Sequence, residues 1–65
     1  MALYKLTFKG QAQGIPAGFE MQVVSSQSPE PYWGDVHAAI VRNGFREEIA
    51  RRFESSGNWY VQKIG

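Results

Sequence analysis

A chain of 65 residues with one histidine, no cysteine and a net charge of +1 has room for one domain and little material for catalytic or metal chemistry. At this length only about 60 % of the surface exposed by the unfolded chain is buried, so a dense core or self-association must supply what disulfides or a structural metal supply elsewhere. Seven Lys/Arg against six Asp/Glu is too even to call for a polyanionic partner.

Leu3 to Lys9 alternates, with Tyr4, Leu6 and Phe8 on one face and Lys5, Thr7 and Lys9 on the other, which predicts a half-buried strand. The segment from Gly10 to Gly18 holds three glycines and Pro16 and reads as a long turn. Phe19 to Val24 resumes the alternation, with Phe19, Met21 and Val23 inward and Val24 breaking the pattern at the end. From Ser25 to Gly34 prolines and serines predict a loop.

Asp35 is placed to cap a helix carrying Val36, Ala39 and Ile40 on one side, with Asn43-Gly44 as its left-handed stop. Phe45, Ile49 and Phe53 follow at helical spacing, and the pattern fits either one kinked helix or two short ones. Glu47 to Arg51 and Glu48 to Arg52 are favourable i,i+4 pairs. After Ser55-Ser56-Gly57 a last strand runs from Asn58 to Ile64, with Trp59 and Val61 opposite Tyr60, Gln62 and Ile64.

The order predicts a single α+β domain over residues 1–65 of ββα(α)β type: a three-stranded antiparallel sheet in order 2-1-3 with one or two helices on one face. The other face carries Lys5, Lys9, Glu20 and Gln22 and is open to water. The N-terminus lacks the apolar run of a signal peptide and nothing approaches a membrane span. The expectation is a cytoplasmic protein with no membrane partner, and the absence of cysteine fits a reducing compartment.

Tyr4 to Lys9, the Ile15-Pro16-Ala17-Gly18 turn before Met21 to Ser25, Glu48 to Phe53, and Tyr60 to Ile64 together resemble a family of short uncharacterised bacterial proteins from gut anaerobes. The stretch from Pro29 to Asn43 departs from that pattern. The resemblance implies no activity.

His37 has no local partners that would make a metal triad or a nucleophile relay, and its expected role is that of an exposed helical histidine. The serines lack a Gly-x-Ser-x-Gly setting, and Gly10, Gly14 and Gly18 precede a strand instead of a helix, so neither a nucleophile nor a phosphate cradle is read here. No enzyme and no cofactor is expected. The candidate interaction surface is Tyr32, Trp33, Arg42 and Arg46.

Tyr32-Trp33 in a Pro-rich loop is either a lid over a small core or an exposed anchor for a partner, and the size of the chain favours the lid. The leading functional expectation is an interaction or accessory module. Its partner is another protein or a second copy, through a sheet edge or the aromatic loop. The alternative is a weak nucleic-acid binder using the helix arginines and Trp33, against which the interleaved Glu47, Glu48 and Glu54 count.

Overall fold

The computed structural model describes residues 1–10 and 14–65. Three strands, β1 (Ala2–Phe8), β2 (Glu20–Ser25) and β3 (Trp59–Lys63), form an antiparallel sheet in the order β2-β1-β3. Two helices, α1 (Trp33–Arg42) and α2 (Glu47–Phe53), lie between β2 and β3 in sequence. The α+β ββα(α)β reading therefore stands, and the choice between one kinked helix and two short ones falls to two.

β1 is the central strand and its burial alternates throughout: Ala2, Tyr4, Leu6 and Phe8 are buried while Leu3, Lys5 and Thr7 are half-buried on the far face, between two neighbouring strands. Burying each of the large ones contributes about 1.5–3 kcal/mol. Its register sets Leu6 opposite Met21 on one side and Val61 on the other. The wet face is tied across strands by the Lys5–Glu20 ion pair at 3.3 Å.

β2 does not lose its alternation at Val24. Val24 points outward, 52 % exposed, and Ser25 takes the next inward position at 1 % exposure. The sequence pattern misleads there because an apolar residue stands on the wet face and a polar one in the core.

α1 starts three residues earlier than it would with Asp35 as its cap. Tyr32 occupies the N-cap position with no side-chain cap, and Asp35 lies within the first turn, where its negative charge complements the positive end of the helix dipole. Ser25 explains the shift, because its Oγ accepts the Tyr32 amide at 3.0 Å and so sets the geometry at the helix start. Val36, Ala39 and Ile40 are buried as their spacing predicts. At the other end Gly44 adopts φ +96°, its amide bonds to the Val41 carbonyl and the Phe45 amide to that of Ile40, which is a Schellman stop.

α2 carries Glu47 and Glu48 in its first turn and Arg51 and Arg52 in its last, in accord with its dipole. Of the ion pairs expected along it, Glu47–Arg51 forms at 3.4 Å between exposed side chains, a contact of small energetic weight. Its buried residues are Ala50 and Phe53. Ile49 is half-buried, because its side chain lies along Gly14 at the rim of the core, where a Cβ on Gly14 would come within 2.5 Å of Ile49 Cδ1.

The core is completed by aromatic edges. Phe8 meets Phe53 at 5.2 Å and Trp59 at 5.0 Å between ring centroids, both edge-on, and Trp59 Nε1 donates to the Phe53 carbonyl at 2.8 Å. Ile15, inside the connection from β1 to β2, is also buried. The turn reading of that connection falls partly on residues 11–13, outside the described residues; beyond them Gly14 and Gly18 take positive φ.

Candidate functional site

Tyr32 and Trp33 do not form a lid. They are 39 % and 53 % exposed, and the residue of that loop which enters the interior is Pro31. The expectation of an aromatic lid is corrected by the hydrogen bonding of the loop itself. Ser25 Oγ accepts the amides of Gln27 and Tyr32, and Tyr4 Oη donates to the Gln27 carbonyl, so backbone covers the end of the sheet and the aromatics are turned outward. A loop whose polar backbone is satisfied from the core side can close the core without its large side chains.

The two rings pack on each other, centroids 5.1 Å apart and planes tilted by 47°. Gly34 makes the room: a Cβ there would lie 2.5 Å from Tyr32 Cε2. The Tyr32 ring therefore folds back over the first helical turn and supports Trp33 from behind.

Trp33 forms one wall of an open groove of about 470 Å³. Gln27, Glu30 and Pro31 of the loop face Glu54, Ser55 and Ser56 of the segment after α2 across it. Two side-chain bonds hold the walls. His37 Nδ1 lies 2.8 Å from Glu54 Oε1, linking α1 to that segment, and the Ser56 hydroxyl donates to Glu30 Oε1. A second hollow of about 330 Å³, between Pro29, Gly57 and Val61 with Lys9 on its rim, shares Glu30 and Ser56 with the first.

His37 is thus half-buried and bonded, not the free surface residue its neighbours in sequence imply. The pairing spans 17 positions, which no local spacing reveals. One signal was present: Trp33 and His37 stand four apart and so share a flank of α1.

The four residues singled out as one surface separate into two. Trp33 opens α1 and Arg42 closes it; nine residues at 1.5 Å and 100° each place them about 13 Å apart along the axis and about half a turn apart around it. Arg46 is the N-cap of α2, close after Arg42 and the turn at Gly44. Both arginines are exposed and neither lines the Trp33 groove.

The open sheet face has its own pattern. Val24 of β2, Leu3 of β1 and Ile64 just past β3 lie side by side at one end, since Leu3 pairs with Val24 and its carbonyl accepts the Ile64 amide. Tyr60 lies toward the other end, 64 % exposed, with Lys9 Nζ 5.2 Å from its ring centroid.

Among the described residues no helix is long and apolar enough to cross a membrane. Comparison with models of known families, with curated proteins and with solved structures finds no match to this chain.

Proposed function

We propose that the chain is a small non-enzymatic protein-interaction module whose contact surface is the groove beside Trp33. The observation that carries this reading is Trp33 itself: a tryptophan more than half exposed, braced by Tyr32 and set in a concave wall, in a chain short of buried surface. Tryptophan and tyrosine dominate the energetics of protein contacts because each offers a large rigid area at low entropic cost. The groove walls support a binding role over a catalytic one. His37 is committed to Glu54 and the Ser56 hydroxyl to Glu30, so imidazole and hydroxyl serve different carboxylates. A cytoplasmic setting is part of the proposal and rests on the cysteine-free composition.

Self-association is a second reading with its own observation, the apolar row Val24–Leu3–Ile64 on the open sheet face. A homodimer through that face predicts a concentration-dependent mass in sedimentation equilibrium that Val24→Asp abolishes. A monomer at all concentrations would rule it out. The nucleic-acid reading has weaker support, because Trp33 and Arg42 stand about half a turn apart around α1 and the groove beside Trp33 is lined by Glu30 and Glu54, not by arginine.

The test of the main reading is selection of a random peptide library on the wild type and on Trp33→Ala, with the buried Trp59 reporting that both are folded. The expected result is enrichment of peptides on the wild type by about tenfold or more over the variant, the equivalent of one strong anchor contact. Equal recovery on both would overturn it.

A further inference from the structure

Two carboxylates, Glu30 and Glu54, share the groove with Trp33, and none of its lining residues is basic, although the chain as a whole carries +1. Each carboxylate is fixed through one oxygen: Glu54 Oε1 by His37 and Glu30 Oε1 by Ser56. Among the described residues the Oε2 atom of each has no side-chain partner, which leaves an acceptor on both walls. The third wall is an indole whose face carries negative quadrupolar potential and attracts cations.

We propose that this groove takes an arginine side chain presented by an extended segment of a partner protein. The guanidinium lies on the Trp33 ring and donates to Glu30 and Glu54. The inference rests on the interaction reading above and names its ligand. Arginine fits better than lysine because a planar fork can stack on an aromatic and bond a carboxylate at the same time, whereas an ammonium is a strongly hydrated point charge. The adjoining hollow, which shares Glu30 and Ser56, gives the flanking residues of the segment a path past Pro29 and Val61. Tyr32 is a positioning residue, since it holds the Trp33 ring and Gly34 leaves the space for it.

The experiment is a titration of the 15N-labelled protein with a glycine-flanked arginine peptide, with the same peptide carrying citrulline, and with its lysine counterpart. The two indole N–H signals separate site from fold, because Trp33 is exposed and Trp59 donates to Phe53 inside the core. The arginine peptide is expected to move the Trp33 signal in a saturable way and leave Trp59 in place. Loss of charge by citrulline, or by the double variant Glu30→Gln with Glu54→Gln, is expected to weaken binding by about tenfold or more.

No movement of Trp33 up to about 10 mM peptide, beyond the range of weak recognition, would overturn the inference. So would citrulline binding as tightly as arginine. Lysine binding as tightly would overturn the assignment of a guanidinium. If library peptides still depend on Trp33 while these titrations fail, the interaction function stands and the arginine is wrong; if both fail, the function falls as well.

Discussion

The Ser25 hydroxyl accepts the amide of Tyr32, seven residues further on, at 3.0 Å. The same oxygen accepts the Gln27 amide at 3.2 Å, and the residue is 1 % exposed. A polar side chain at the inward end of β2 thus works as a template for the Pro-rich loop and for the first turn of α1. Ser25→Ala leaves both amides without that acceptor and is expected to cost about 1–3 kcal/mol. The urea midpoint should fall and the emission of Trp33 should change before global unfolding. An unchanged midpoint would mean that the loop finds its geometry without the hydroxyl.

Phe53 and Ile49 stand four apart on one helix yet differ in burial, and their truncations should differ accordingly. Phe53 touches Phe8 edge-on and its carbonyl receives the Trp59 indole, so Phe53→Ala should cost about 3–5 kcal/mol, enough to unfold most of a domain this size. Ile49, half-buried along Gly14, should cost about 1–2 kcal/mol as Ile49→Ala, below the range for fully buried sites. Equal losses in chemical denaturation would contradict the placement of Ile49 at the rim.

Gly44 separates backbone strain from packing. Its φ is +96° and a Cβ there would meet nothing within 4 Å, so Gly44→Ala should destabilise through conformation alone, by about 1–2 kcal/mol. Gly44→Asn, which tolerates the left-handed region better, should recover part of the loss in thermal melts. A neutral Gly44→Ala would place the stop of α1 elsewhere.

Acrylamide quenching should resolve two tryptophan populations. Trp33, 53 % exposed, should quench readily and Trp59, 2 % exposed, only after unfolding. Trp33→Phe should leave the protected population alone. A single fully accessible population in the native protein would contradict the burial of Trp59.

Most of the scaffold is readable in the residues. Tyr4, Leu6 and Phe8 announce one face of β1, Asn43-Gly44 announces the end of α1, and the sheet order follows from antiparallel neighbours on a central first strand. The site is less legible, for physical reasons. Trp33 and Trp59 each sit beside a tyrosine, but strand parity turns Trp59 inward while Trp33 projects from the flank of a helix start whose position depends on Ser25. The bonds that build the groove, His37–Glu54 and Glu30–Ser56, join residues 17 and 26 positions apart and leave no periodic trace. Ile15 is similar: a lone apolar residue in a glycine-rich turn carries no pattern, and the fold of the connection puts it in the core.

The placement of β1 between β2 and β3 also governs the order in which the molecule can be made. The first hairpin and both helices precede β3 in synthesis, yet β1 keeps one unpaired edge until Trp59–Lys63 arrives to cover it. The last strand also brings Trp59 against Phe8, so closing the sheet and finishing the aromatic core are one event. Nascent chains halted before residue 59 would display a bare strand edge beside an incomplete aromatic cluster, the state in which this small protein is most exposed to misassociation.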